Sequence, residues 1–257
     1  MKKNALLISR LNLIIALSFF ISLVSGCSKN LFSHGGAKTD EMPFSSLYPT
    51  SHPSDGKEID MTMEAMDYFD RGRYSLASDT FKKIRDQYPF SPYAVLAELH
   101  IADCKFYEHE YEEAIPLYEE FEKMHPNNEA VPYVIFQEGS CYHRLMSTPD
   151  RDQTNTHKLI DTYDRLIKRY PNSPYTFEAK RRIAEAREML AESEMVVAKW
   201  YMRVGQYPQA KARLENVINL YPDTRASLDA RSMLNRINEA GTGGKGSSWF
   251  KRFFSFL

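Results

Sequence analysis

The chain has 257 residues, 43% of them hydrophobic and 26% charged, with only 11 Gly and 13 Pro, which excludes a wholly disordered polymer and leaves enough apolar material for a sizeable core. Thirty-three basic residues stand against 34 acidic ones, a formal charge of −1 with no long block of like sign, which removes the electrostatic footprint of a nucleic-acid binder. Cys27, Cys104 and Cys141 are too few and too scattered for a disulfide scaffold or a four-ligand zinc site, so stability must come from packing.

At the N-terminus Lys2, Lys3 and Arg10 precede an apolar run from Leu11 to Val24, broken only by Asn12, Ser18 and Ser22, a charged segment followed by a hydrophobic one as in a signal peptide. The run is shorter than the roughly 20 apolar residues of a spanning helix. It closes on the small residues Ser25 and Gly26, directly before Cys27. An ordinary signal peptide with a chance cysteine is the plainer reading; charge, apolar length and small-small-Cys in succession favour lipidation. Leu23-Val24-Ser25-Gly26-Cys27 resembles the bacterial lipobox. That resemblance implies that residues 1–26 are cut away and that Cys27 carries a covalent lipid, with no other cofactor. Two or three acyl chains anchor stably where one binds marginally, at about 0.8 kcal/mol per buried CH₂. Ser28, rather than Asp, follows the cysteine, and the sorting pattern this resembles implies the outer membrane of a diderm bacterium, with the protein facing the periplasm. Loss of residues 1–26 removes three positive charges from −1 and leaves a mature chain of −4.

Residues 27–57 shift to Ser, Gly, Pro, Thr and His and read as the lipidated Cys and a flexible tether, in which Phe44, Leu47 and Tyr48 either dock as a short extended segment or remain isolated hydrophobes. From residue 58 to 240 the composition turns to Ala, Leu, Glu, Lys, Arg and Tyr in apolar-periodic stretches, without strand alternation, and predicts an all-α domain. Tyr88-Pro89, His125-Pro126, Tyr170-Pro171 and Tyr221-Pro222 mark four helix ends. Fifteen residues before three of these prolines stand Tyr74, Tyr111 and Tyr207, each followed three residues on by Ala77, Ala114 or Ala210. The stripe continues through Phe81, Tyr118 and Leu214 to Ile84, Phe121 and Val217, with helical period. The third copy fits with Leu159, Tyr163 and Leu166. Twelve residues before the three alanines lie Ala65, Ala102 and Ala198, small enough for close packing of the preceding helix, and Gly139 takes that place in the third copy.

These residues resemble the tetratricopeptide repeat, a helix pair of about 34 residues with small residues on both helices and a closing Pro. The resemblance implies a helical solenoid of about four stretched repeats plus a C-terminal helix, each pair burying its apolar face on the next, with a concave face lined by the first helices. The proline spacings of 37, 45 and 51 locate the stretching. Copy three gains a loop around Met146 to Thr154; copy four gains 14 residues within Tyr175 to Ala191. Fourteen is close to four helical turns, so one long helix, roughly Tyr175 to Arg203, can absorb the insertion and keep its face. Tyr68, Phe106, Tyr107 and Tyr142 are candidate groove residues on the concave side, against the plainer reading of each as core.

Catalytic chemistry has no support: there is no glycine-rich phosphate loop, nucleophile elbow or His-Glu-x-x-His. His100 and Cys104, four apart with Asp103 between them, lack further ligands at a recognisable spacing, so no metal site is assigned. Cys104 and Cys141 read as small packing residues.

A more specific likeness rests on Tyr88-Pro89-Phe90-Ser91-Pro92-Tyr93, the insertion Arg151-Asp152-Gln153, Tyr170-Pro171-Asn172-Ser173-Pro174-Tyr175, Ala198-Lys199-Trp200-Tyr201 with Gly205, and Tyr221-Pro222-Asp223-Thr224. With the lipobox and tether, this ordered set resembles the BamD family, also called the ComL family, of outer-membrane lipoproteins of the β-barrel assembly (BAM) machinery. The resemblance implies a non-enzymatic scaffold. Its implied partners are the last periplasmic POTRA domain of BamA, the other BAM lipoproteins, and C-terminal segments of unfolded outer-membrane barrel proteins. It also implies a BamA contact at Arg213, for which the alternative is a solvated side chain beside Lys211. A different lipid-anchored repeat adaptor, pilotin-like or a cell-envelope coordinator, is the competing function.

After Pro222 there is room for one helix, about Arg225 to Ala240, rather than a complete fifth pair. Residues 241–257 form a glycine-rich hinge and an aromatic and basic tail. As a helix the tail sets Lys251, Arg252 and Ser255 against Trp249, Phe250, Phe253 and Phe254, an interfacial pattern expected to dock on a partner or a bilayer surface or else to hang free.

Overall fold

The computed structural model describes residues 56–242; Cys27 and the tail residues Trp249, Phe250, Phe253 and Phe254 lie outside the described residues. Within it the regular elements are helices alone: α1 Lys57–Asp70, α2 Tyr74–Gln87, α3 Pro92–Tyr107, α4 Tyr111–Met124, α5 Val131–Arg144, α6 Thr154–Arg169, α7 Thr176–Arg203, α8 Tyr207–Leu220 and α9 Arg225–Thr242. Each packs on the next, as stacked helix pairs of tetratricopeptide type require.

The same physics closes each second helix. Tyr88, His125, Tyr170 and Tyr221 all have φ between −124° and −131° and ψ between 52° and 63°, and each donates its N–H to the carbonyl four residues back. A proline follows each of them, and the proline ring pushes the preceding residue out of the helical region, so the helix ends on that residue. Inside the pairs the turn needs a left-handed residue, which Gly72 (φ 71°) and Gly205 (φ 76°) supply without steric cost. His109 takes the same place in the second pair at φ 64°, its Nδ1 2.7 Å from the hydroxyl of Tyr111.

The shared register is the core. Ala65, Ala102 and Ala198 are wholly buried against second helices that bury Ala77, Ala114 and Ala210, then Phe81, Tyr118 and Leu214. In the third pair Leu159, Tyr163 and Leu166 are wholly buried, and Gly139 makes room for them: a Cβ there would stand 2.3 Å from the ring of Tyr163. The loop of copy three runs from Leu145 to Gln153, where Asp152 accepts from the Thr154 amide (3.1 Å) and Gln153 Nε2 donates to the carbonyls of Thr148 (2.9 Å) and Arg151 (3.0 Å).

The insertion of copy four is absorbed in α7, 28 residues and about 42 Å long. Its face is not kept, however. Ala179, Ile183, Ala186 and Leu190 form one stripe, in which Ala179 and Ala186 pack in the central core. Ala191, Met195, Ala198 and Met202 form a second stripe with the same 4-3-4 spacing, and its first three residues pack with Leu214, Val217, Ala226 and Ala230 in the C-terminal core. The one-residue step from 190 to 191 rotates the buried side by about 100°, the turn of a single helical residue. Between the stripes Arg187 reaches the Tyr221–Thr224 turn, with Nη2 at 2.6 Å from Asp223 Oδ1 and 3.1 Å from the Leu220 carbonyl. Glu188 accepts the amides of Arg225 (2.8 Å) and Ala226 (2.9 Å) at the start of α9, filling orphan donors there.

Gly139→Ala should test the crossing of α5 and α6. The Tyr163 ring is wholly buried and its hydroxyl is held by Arg182 at 2.9 Å, so it cannot swing away cheaply. Overpacking of about 1–3 kcal/mol outweighs the roughly 1 kcal/mol that Ala gains over Gly in a helix. Thermal unfolding should show Tm lower by roughly 2–8 °C.

Candidate functional site

The inner ends of the first two pairs carry a run of half-buried rings. Phe69 meets Tyr74 (5.4 Å between centroids), Tyr74 stacks on Tyr107 (5.2 Å, 17°), Tyr107 meets Phe106 (5.5 Å), and Phe106 meets Tyr111 (5.5 Å). The structure therefore brings Phe106 and Tyr107 into one aromatic ladder across α1 to α4. Tyr68 stands apart, its hydroxyl donating to Glu64 Oε1 at 3.0 Å. Tyr142 is buried in the third pair, with the Lys158 ammonium 5.5 Å over its ring, and burial pushes its phenol up to about 12. Of the four candidate groove residues, Phe106 and Tyr107 belong to the ladder, and Tyr68 and Tyr142 have other partners.

Beneath the ladder lies a buried polar knot. Asp103 Oδ1 accepts from the hydroxyls of Tyr118 (2.7 Å) and Tyr133 (3.0 Å), and the Tyr133 oxygen accepts from Gln137 Nε2 (3.0 Å). His100 Nδ1 is 3.1 Å from Asp103 Oδ2, and its ring stacks on Phe81 at 5.1 Å. Burial drives both tyrosine phenols well above their ordinary range, with the Asp103 charge adding to it. Among the described residues no group of three or more His, Cys, Asp or Glu is placed to hold a metal ion. Cys104 and Cys141 are buried free thiols in different core clusters.

At the other end Arg213 of α8 is neither bare nor merely solvated. Its Nη1 lies 3.0 and 3.2 Å from the two carboxylate oxygens of Glu194 on α7, and the side chain remains 40% exposed. Nε and Nη2 have no such bond among the described residues. Beside the second buried stripe of α7, Val196, Trp200 and Val204 form an exposed apolar row at spacings of four, with Tyr201 against Trp200 at 5.0 Å. Glu194 and this row escaped the sequence reading. The row was visible as Val196, Trp200 and Val204 on one helix face; the Glu194 pairing depends on how α7 and α8 lie together.

A family model described as "YfiO: Outer membrane lipoprotein" matches residues 54–244. "Outer membrane protein assembly factor BamD" of Rickettsia prowazekii is 29% identical over 167 residues, 65% of this chain and 66% of that protein. The protein of the same name from Caulobacter vibrioides is 28% identical over 164 residues, 64% of this chain and 54% of its own length, so this chain spans little more than half of it. That of Xylella fastidiosa strain Temecula1 is 25% identical over 232 residues, 86% of this chain and 73% of that protein. Among solved structures, the "TPR2AB-domain:pHSP90-complex of yeast Sti1" shows 15% identity and a TM-score of 0.42, covering 66% of each chain.

The seam between the second and third pairs holds a titrating group. Glu138 of α5 is nearly buried, paired with Arg165 and accepting from Thr162 Oγ1 at 3.2 Å, while Arg165 and Arg169 also reach Glu122 of α4. Burial pushes the Glu138 carboxyl up to about 7 against the pull of Arg165. The unfolded chain releases this proton near the ordinary glutamate value and the folded chain only near 7. Stability from this group is therefore present below that ordinary value and is lost as pH rises to about 7. His143 works the other way, its pKa lowered by burial and by Arg182, so the two must be separated. Unfolding of the parent and of Glu138→Gln between pH 5 and 8 isolates Glu138. The parent should lose on the order of 2–3 kcal/mol relative to the variant across that range; parallel profiles would contradict the assignment.

Proposed function

Because the chain belongs to the YfiO outer membrane lipoprotein family, we propose that it is a non-enzymatic scaffold of outer-membrane β-barrel assembly, anchored by a lipid on Cys27 and facing the periplasm. The observation that carries this reading is the extent of the family match. Residues 54–244 take in all nine described helices, including the loop of the third pair and the long α7. The relatives' shared name, outer membrane protein assembly factor BamD, supports placing this chain in the BAM complex.

Within that reading, the C-terminal pair receives the last POTRA domain of BamA, other BAM lipoproteins gather on the same assembly, and the ladder of Phe106 and Tyr107 receives segments of unfolded barrel proteins. The Arg213 site suits the first role. Glu194 holds the guanidinium plane through Nη1, so a partner carboxylate meets an already oriented fork at Nε and Nη2. The row of Val196, Trp200 and Val204 offers apolar area on the same pair. The ladder suits the second role because its rings are half-buried, fixed by one another, and able to stack on side chains of varied sequence.

Arg213→Ala should weaken binding of the purified BamA periplasmic region about ten- to a hundred-fold, and Arg213→Lys should recover little, since an ammonium lacks the fork. In cells, a photocrosslinking probe at Arg213 should capture BamA, and one at Tyr107 should capture nascent barrel proteins. Unchanged affinity in Arg213→Ala together with no BamA captured would sink the contact. Capture of a different envelope system at both positions would sink the scaffold reading as a whole.

A further inference from the structure

Successive helices pack side by side through short turns, so they alternate in direction. In the first three pairs this gathers the turns Tyr88–Ser91, His125–Ala130 and Tyr170–Tyr175 at one edge, together with the start of α1 at Lys57. Arg169 ties two of these turns, its Nη2 donating to the Pro126 carbonyl at 3.2 Å. This edge carries large apolar side chains held out in water: Phe90 is 100% exposed, Phe177 81% and Met124 65%. The opposite edge of these pairs carries less: among the described residues its turns 71–73, 108–110 and 145–153 have no exposed large hydrophobic, and the helix ends beside them have Leu76, 48% exposed.

The exposure is built in. The backbone on either side of Phe90 is closed by the Ser91 amide donating to the Tyr88 carbonyl (2.9 Å) and by Ser91 Oγ accepting from the Tyr93 amide (3.2 Å). Phe177 follows the buried Tyr175 and Thr176, and the Thr176 hydroxyl donates to the Tyr170 carbonyl at 3.1 Å. Met124 ends α4, where the His125 amide donates to the Phe121 carbonyl at 2.9 Å. Exposed lysines stand close by: Lys123 is next to Met124, and Lys180 is three residues after Phe177. Apolar tips flanked by lysines are the pattern of a surface that sits at the boundary of headgroups and acyl chains.

We infer that this edge, through Phe90, Met124 and Phe177, rests in the headgroup layer of the membrane that holds the chain. The occupant is read from two facts. The chain enters α1 at this edge, at Lys57, and only 29 residues separate Lys57 from Cys27, so a lipid on Cys27, as proposed above, tethers the helices by this edge and not the other. The three side chains stand at three separate places, Phe90 in a turn and Met124 and Phe177 at the helix ends beside the next two, which suits a flat, deformable surface; a protein partner would have to provide a separate pocket for each. The inference rests on the proposed lipid anchor at Cys27 and on the place where the chain enters α1, and does not require the assembly function.

The test uses the full mature chain with Cys27→Ala, so that no acyl chain contributes, and co-sedimentation with vesicles of phosphatidylethanolamine and phosphatidylglycerol. The variant carrying Phe90→Ser, Met124→Ser and Phe177→Ser in addition should keep its Tm, since these residues are exposed, and should partition about ten-fold more weakly. The tail is present in both proteins and cancels. Phe90→Trp in the Cys27→Ala chain should show blue-shifted emission, quenched by lipids brominated on the acyl chain, as the difference from the parent that contains Trp200 and Trp249. Equal partitioning of the two proteins, or a tryptophan at 90 that remains water-exposed on vesicles, overturns the inference. So does loss of binding to a purified assembly protein without loss of vesicle binding. None of these outcomes bears on capture of BamA at Arg213, so the two readings fail separately.

Discussion

Everything in this fold depends on how closely the two helices of a pair can approach. The first helix presents Ala65, Ala102, Gly139 or Ala198 at the crossing, all but the glycine ending in a single methyl, and the second presents Ala77, Ala114, Leu159 or Ala210. The third pair shows the rule by departing from it. Its second helix carries Leu159 where the others have alanine, and its first helix gives up its last side-chain atom so that Tyr163 can lie against bare backbone. Volume is exchanged across the crossing while the packing stays dense, as in any well-filled interior. The large residues then fall one turn further on, at Phe81, Tyr118, Tyr163 and Leu214, and the core of each pair continues into the next.

Polar groups work mainly as fasteners between pairs. Arg182 of α7 is the clearest case: it lies 4.8 Å over the Phe136 ring, donates to Ser140 (2.7 Å) and Tyr163 (2.9 Å), and is paired with Glu178, whose carboxyl Arg181 and Arg182 hold down to about 2. Arg169 likewise reaches from α6 back to the Pro126 carbonyl in the turn after α4, and Arg187 from α7 forward to the Leu220 carbonyl at the end of α8. A guanidinium suits such seams because its planar fork can serve a carboxylate and a carbonyl at once.

The pairs, their register and their ends were legible because they rest on local rules: helical period, a small residue at a fixed offset, and a proline that evicts its neighbour from the helix. Other features were not. The turn at His109 has the left-handed backbone of Gly72 and Gly205, but nothing in a histidine announces it; it is held by contact with Tyr111. Tyr107 and Tyr142 look alike in sequence and differ in depth, because one joins a ladder of rings at the end of its helix and the other is covered by Lys158 and its own pair. Phe90 was read for its motif and not for its exposure, since apolar residues are assigned to cores unless a structure shows otherwise. The partner of Arg213 lies 19 residues away on another helix, beyond the reach of spacing arguments.

The step between residues 190 and 191 of α7 makes that helix a swivel. One rod carries two buried sides about a quarter-turn apart, so its free sides are turned by the same amount. A body seated on the fourth pair approaches from a different bearing than one seated on the first three. The angle between the free faces of the two parts is set by the pitch of a single uninterrupted helix, with no loop or hinge to blur it.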